Sequence, residues 1–292
     1  MNKKNINFIG IGAPRSGTTW VYECLKEHPQ VCFSSKKELY FFDRKDNYER
    51  GLDFYYSFFD HCSEGLIKGE FTATYLSSNE APSRIKSNFP DVKIIVCLRN
   101  PIERAYSHYL YDRASKRVEV DFEEALKKNE KYIKMGLYFN QISHYLKYFK
   151  KDQIKIIFYE DIKERPSELI KEVCDFLNID KTYQSLSSGK VINPSTSNVY
   201  KINFLNLNNI KKITNKLKSN LLGRFLINSL KIFKLNKLTN YLIKKNRKGY
   251  LDRRPIDKNP IQEETRKMLQ RRFKEDISNL EKLTNKNLNY WR

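Results

Sequence analysis

The chain has 292 residues, room for one large domain or two small ones, and its 40% apolar and 13% aromatic content excludes wholesale disorder. Its 55 Lys and Arg against 34 Asp and Glu leave a net charge of +21, which predicts an anionic partner: a nucleotide, nucleic acid, polyanion or membrane surface. Five cysteines (Cys24, Cys32, Cys62, Cys97, Cys174), an odd count with no CxxC pair, point to neither a disulfide framework nor a zinc site. With no signal-like or membrane-spanning apolar run, the expectation is a soluble protein of a reducing, cytoplasmic compartment.

Residues 6–11 form a short apolar run that enters a Gly-rich turn, and residues 19–27 follow with helical spacing. Residues 66–69 read as a strand end placed just before Glu70. Residues 92–98 (VKIIVCL) are a continuous β-branched run of the kind buried on both faces of a parallel sheet. Pro101 comes next, as Pro does in the first turn of a helix, and Ile102, Ala105, Tyr106, Tyr109 and Leu110 keep helical spacing. A helical pattern over 137–149 leads into a buried-strand candidate at 154–159, and 167–177 is helical again. This alternation predicts an α/β fold with a P-loop-like, mainly parallel sheet flanked by helices.

The texture changes after about residue 190. Ile210, Ile213, Leu217 and Leu221 share one helical face, as do Leu222, Leu226, Leu230 and Phe233, with Lys and Asn opposite. Residues 201–254 hold fifteen Lys/Arg and one acid, Asp252, a net +14 in 54 residues. They are read as a basic amphipathic helical subregion inside a single domain spanning 1–292. Residues 262–284 make a better-balanced amphipathic helix through Leu269, Phe273, Ile277, Leu280 and Leu283.

Gly12-Ala-Pro-Arg-Ser-Gly17-Thr18-Thr19 sits between the first strand and the first helix. Glycines let a backbone wrap an anion, and the helix N-terminus adds unpaired N–H groups and partial positive charge. The loop meets the GxxxxG half of a P-loop, but Thr18 stands where a nucleotide kinase needs Lys before its Mg²⁺-binding hydroxyl. An anion site with no obligatory metal is the expectation, and the nearest cation is Arg15.

These residues carry a family resemblance. Pro14-Arg-Ser-Gly-Thr-Thr-Trp20 resembles the 5′-phosphosulfate loop of sulfotransferases that use 3′-phosphoadenosine 5′-phosphosulfate (PAPS) and release 3′-phosphoadenosine 5′-phosphate (PAP). Lys37-Glu-Leu-Tyr-Phe-Phe-Asp43 is similar to the family's Lys-Glu-x-His-Phe-Phe segment, and Gly69-Glu-Phe-Thr-Ala-Thr-Tyr75 to the segment that holds its catalytic glutamate. Leu98-Arg-Asn-Pro-Ile-Glu-Arg-Ala-Tyr-Ser-His-Tyr109 resembles its 3′-phosphate motif. Gly136-Leu-Tyr138, Tyr159-Glu-Asp161 and the end near Trp291 also match, so the resemblance covers roughly 6–190 and 255–292.

The resemblance implies roles. Glu70 is the general base toward an acceptor hydroxyl or amine, and an Arg15 or Lys37 beside it would keep it ionised. Arg15 grips phosphosulfate oxygens in a bidentate way and cannot deprotonate; Lys37 is a second cation at the sulfonate. Ser16, Gly17, Thr18, Thr19 and Trp20 cradle the 5′-phosphate, although Ser16 or Thr18 can equally serve as a helix cap. Arg99 and Ser107 bind the 3′-phosphate; the alternative for Arg99 is an ion pair with Glu103. Tyr40 replaces the family's His, Phe71 stands where glycan-modifying relatives carry an acceptor-side Lys, and His108 is read as a packed residue. The expected acceptor is a glycan, glycolipid or other hydroxyl-bearing molecule. Residues 201–254 would dock it, or rest peripherally on an anionic membrane surface. Arg247-Lys248-Gly249 echoes a late nucleotide loop. A P-loop nucleotide kinase and a basic nucleic-acid-binding protein are the competing readings; the second lacks a recognition motif.

Overall fold

The computed structural model describes residues 5–185, 187 and 259–292. The chain divides into two units. The first takes in the described residues up to Leu110, those from Val120, and Asn259–Arg292; of the second only Tyr111–Glu119 is described. The basic segment 201–254 and Arg247-Lys248-Gly249 lie outside the described residues.

The first half of the chain forms β1 (Phe8–Gly12), α1 (Thr18–Lys26), β2 (Val31–Phe33), α2 (Lys45–Tyr48), α3 (Gly51–Tyr56) and β3 (Ile67–Phe71). Next come α4 (Ala81–Asn88), β4 (Lys93–Leu98), α5 (Pro101–Ala114), α6 (Phe122–Lys128), α7 (Lys131–Lys134) and α8 (Tyr138–Leu146). β5 (Ile154–Phe158), α9 (Tyr159–Glu164), α10 (Pro166–Leu177) and α11 (Glu263–Thr284) complete the described elements. Local chemistry sets several boundaries. Asn100 Oδ1 accepts the Ile102 and Glu103 amides (3.0 and 3.3 Å), capping α5 just ahead of Pro101. α10 begins at Pro166 and stops at Asn178, whose left-handed backbone (φ 60°) closes the last turn.

The five strands lie in the order β2-β3-β1-β4-β5, all parallel. The chain leaves β1 through α1 toward β2 on one side, whereas β4 leads through α5 toward β5 on the other. The carboxyl ends of β1 and β4 therefore flank a topological switch point, where open α/β sheets hold ligands. β1, β4 and the end of β5 are buried, in keeping with their apolar, β-branched composition.

Register between β1 and β3 is keyed by two reciprocal pairs. Phe8 pairs with Gly69, and Gly10 with Phe71. A Cβ on Gly69 would sit 2.2 Å from the Phe8 ring, and one on Gly10 would sit 2.0 Å from the Phe71 ring. Each ring occupies the space its partner glycine leaves. On that face Phe8, Phe71, Ile95 and Ile157 pack under Trp20, Leu25, Leu169 and Val173. α11 braces another part of the unit: Asp276 accepts the Phe139 amide (3.0 Å) at the start of α8, and Trp291 packs its ring on Tyr138 and Phe158.

Two sequence expectations need correction. Glu70 lies inside β3, not beyond a strand end. The cysteines are not all unpaired: Cys32 on β2 and Cys62 form a disulfide, while Cys24, Cys97 and Cys174 are free and buried. The turn after α3 folds back on the edge strand, with the Ser35 amide donating to the Phe58 carbonyl (2.8 Å), and so brings together two cysteines 30 positions apart. A reducing compartment no longer follows from the cysteine count. Among the described residues no helix is long and apolar enough to cross a membrane.

Candidate active site

The loop after β1 is held at the switch point by the neighbouring strand. The Ala13 amide donates to the Cys97 carbonyl at the end of β4 (2.7 Å). Arg15 and Gly17 both take left-handed backbone, φ 69° and 90°. At Gly17 a Cβ would meet Ile162 Cδ1 at 2.5 Å and the Tyr159 ring at 3.1 Å, so the turn needs glycine for conformation and for space. Gly17 is also the N-cap of α1 and offers no side chain to its first turn, which leaves the Thr18 and Thr19 amides for an anion. Ser16 is wholly buried beside the Tyr138 phenol, yet its hydroxyl completes no hydrogen bond of ordinary geometry. A glycine-made cradle, open helix donors and an orphaned hydroxyl suit a phosphate ester. Trp20 departs from expectation: its ring packs in the core and its amide is taken by the Gly17 carbonyl (2.9 Å), so it does not face the loop's anion side.

Arg15, Arg99 and Ser107, 92 positions apart at the extremes, converge. Arg15 Nε donates to Ser107 Oγ (3.2 Å), and Arg99 Nη1 donates to the Arg15 carbonyl (3.4 Å). Tyr138 ties the Arg99 backbone down, its hydroxyl donating to the Arg99 carbonyl (2.9 Å), and the Arg99 guanidinium lies over the Tyr159 ring at 4.7 Å. Glu103 pairs instead with Arg266 (3.3 Å), so the expected alternative for Arg99 is not the one formed. His108 is packed, edge-on to Tyr132 with ring centroids 5.3 Å apart.

Glu70 is wholly buried one strand away, beside Ile9 of β1. Its carboxyl accepts from Thr72 Oγ1 (2.7 Å), the Tyr75 hydroxyl (3.0 Å) and the Tyr55 hydroxyl (3.2 Å). The same groups anchor the segment that carries Lys37. The Leu39 amide donates to Thr72 Oγ1 and the Phe41 amide to the Tyr75 hydroxyl, each at 2.9 Å. Burial pushes the Glu70 carboxyl up to about 8; the Thr72, Tyr75 and Tyr55 bonds pull it back, and the Glu38 charge pushes it further up. This corrects the expectation of a carboxylate kept ionised by a neighbouring cation. Desolvation outweighs the hydrogen bonds, and Glu70 is an acid at neutral pH.

Lys37 pairs with Glu38 Oε1 (2.8 Å), while Glu38 Oε2 accepts the Ala73 amide (2.9 Å). The Lys37 charge is also felt at Cys97, at the end of β4, which locates it at the same end of the sheet as the loop. Glu38 and Tyr40 join Arg15 in left-handed backbone (φ 62° and 53°), a clustering of strained residues around one site. Tyr40 lies against the Arg44 guanidinium, 4.1 Å from ring centroid to carbon. Phe71 points to the opposite face of β3 from Glu70, its ring over Gly10, so the side chain at this position does not face the carboxyl. Sequence reasoning missed Tyr55, Thr72, Tyr75 as a Glu70 partner, and Glu38. Glu38, Thr72 and Tyr75 stood inside the quoted motifs, and the Gly-Glu-x-Thr-x-x-Tyr context was the signal that could have found the last two; Tyr55 stood in none.

The site therefore joins an anion cradle, two converging guanidiniums and a buried carboxyl with raised proton affinity. A sulfotransferase domain model matches residues 6–281. Human heparan sulfate glucosamine 3-O-sulfotransferase 6 is 33% identical over 180 residues, covering 59% of this chain and 52% of that protein. The human bifunctional heparan sulfate N-deacetylase/N-sulfotransferase 3 is 32% identical over 193 residues, covering 59% and 22%. The chain spans about half, or less, of the length of these relatives. Among solved structures, a sulfotransferase from Alicyclobacillus acidocaldarius superposes with a TM-score of 0.70 at 22% identity over 99% of both chains, a likeness of fold. With the family's model running across nearly the whole sequence, this chain belongs to the sulfotransferase domain family.

Proposed function

We propose that this chain transfers the sulfuryl group of PAPS to a hydroxyl or amine of a glycan or glycolipid acceptor and releases PAP. PAPS supplies an activated sulfuryl group on a phosphosulfate anhydride with a 3′-phosphate at the far end. The observation that carries the reading is the convergence of Arg15, Arg99 and Ser107 at the switch point, beside the glycine cradle. Arg15 and the α1 donors would hold the 5′ end and stabilise charge on the departing phosphate oxygen; Arg99 and Ser107 would hold the 3′-phosphate. Lys37 would add positive charge at the sulfonate. Positioning and charge stabilisation then supply most of the rate.

Glu70 would take the acceptor proton. A carboxyl at about 8 is a far stronger base than a solvated one once ionised, and it is matched to a slightly alkaline working pH. O- and N-sulfation both fit this role, and the two relatives' names cover both. The basic segment 201–254 would dock an anionic acceptor or an anionic membrane surface.

Transfer of labelled sulfate from PAPS to a panel of glycans, glycolipids and small alcohols tests the reading, with product expected on at least one glycan class. Thermal stabilisation by PAP without Mg²⁺, and none by ATP with Mg²⁺, is expected. The reverse pattern would overturn the donor assignment in favour of a nucleotide kinase, since Thr18 replaces that family's lysine.

A further inference from the structure

All five cysteines and all four histidines of the chain lie among the described residues. Three histidines are engaged elsewhere. His28 Nε2 meets the Asp180 carbonyl (2.8 Å), His144 Nε2 meets the Asn79 carbonyl (3.0 Å), and His108 packs on Tyr132. The fourth, His61, faces sulfur. Its Nε2 lies 3.7 Å from Cys32 Sγ and 3.9 Å from Cys62 Sγ, and the three ligand atoms fall within 4.8 Å of one another. It is the one such grouping of potential metal ligands among the described residues.

We propose that Cys32, Cys62 and His61 form a two-state staple: a disulfide under oxidising conditions, and a Zn²⁺ site under reducing ones. Zinc bonds of about 2.3 Å to thiolate and about 2.0 Å to imidazole set tetrahedral ligand–ligand edges of roughly 3.5–3.8 Å. The observed sulfur–nitrogen separations already approach those edges. His61 is exposed, so water can supply a fourth ligand and the ion has an entry path. The ligands sit on fixed backbone: Cys32 is the middle residue of β2, and the Cys62 amide donates to the Phe59 carbonyl (2.9 Å) in the turn packed against that strand.

A dithiol reductant breaks the sulfur–sulfur bond, its two electrons yielding two protein thiols while it becomes a cyclic disulfide. Metal binding then releases the two thiol protons. Both states close the same loop, the 30-residue span from Cys32 to Cys62 that carries Lys37 and Tyr55. The site would stay fastened in either redox compartment.

The full chain, reduced without oxygen, freed of metal and titrated with zinc, is expected to bind about one equivalent and to gain thermal stability. Cobalt in its place should give thiolate-to-metal charge-transfer absorption. Oxidised protein should bind none. His61→Ala should weaken binding in the reduced state at least tenfold, since loss of outer-shell support alone costs ~10–100-fold. Cys62→Ser should abolish it. Stoichiometric binding absent from reduced protein, equal binding by oxidised protein, or unchanged affinity in His61→Ala each overturns the proposal. So does a reduced chain that unfolds and is not restored by zinc.

Discussion

Replacing Glu70 by Gln removes one ionisable group and leaves a side chain of nearly the same shape among Thr72, Tyr75 and Tyr55. In the folded parent the carboxyl holds its proton up to about 8, whereas the unfolded chain releases it near 4.5. Between those values the folded state binds more protons, so stability falls as pH rises, at about 1.4 kcal/mol per pH unit. The full window amounts to about 5 kcal/mol for this wholly buried group. Gln carries no such dependence. The variant should match the parent near pH 4.5 and exceed it above pH 8, a difference on the order of 10 °C in Tm. Chemical denaturation across pH 4.5–9 reads it directly. Parallel stability profiles for parent and variant would refute a neutral, desolvated Glu70. Transfer should fall on the order of 10²-fold or more while PAP affinity holds, as for loss of a general base. Near-full turnover by Glu70→Gln would refute the assignment of the base.

Parent turnover under saturating substrates should rise with pH through about 8, as Glu70 ionises. Tyr55→Phe removes a bond that favours the carboxylate, so the midpoint of that profile should move to higher pH, read from rates with folding checked by circular dichroism. Arg99→Ala should weaken PAP binding roughly 10–100-fold, the loss expected for a hydrogen bond to a charged group, measured by calorimetry. Gly17→Ala forces a side chain into φ 90° against Ile162, and denaturant titration should register a loss of about 2–4 kcal/mol. Turnover of the oxidised protein should persist in a chelator, because the proposed zinc occupies only the reduced state.

Much of the fold is legible in the sequence, for identifiable reasons. β1, β4 and the end of β5 are apolar runs buried in a parallel sheet, and Pro101 marks a helix start. β2 escaped notice because three residues, Val31–Phe33, carry no period. Arg15, Arg99 and Ser107 stood out through motif order, but their meeting depends on β1 and β4 being neighbours, which no local pattern states. Tyr55 was invisible: it reaches Glu70 from 15 positions upstream, in a segment where aromatic residues are common. The protonation state of Glu70 was misjudged for a related reason. Two nearby cations were visible in sequence, whereas complete burial is a property of the assembled site. The disulfide was lost to counting, since an odd number of cysteines without a motif conceals one pair as readily as it denies all pairs.

The Phe8–Gly69 and Gly10–Phe71 pairs decide which side of the sheet Glu70 faces. Neighbouring residues on a strand face opposite ways, so a slip of one position would turn Glu70 toward Trp20 and Leu169, into an apolar layer and away from its partners Thr72, Tyr75 and Tyr55. A ring can settle only over a glycine, and each strand offers its glycine two positions from its phenylalanine in opposite order, so the two strands fit in one alignment. The glycine of the Gly-Glu pair thus works as an address and the glutamate as its message. A graft of this site onto another parallel sheet would have to carry Phe8 and Gly10 along with Glu70.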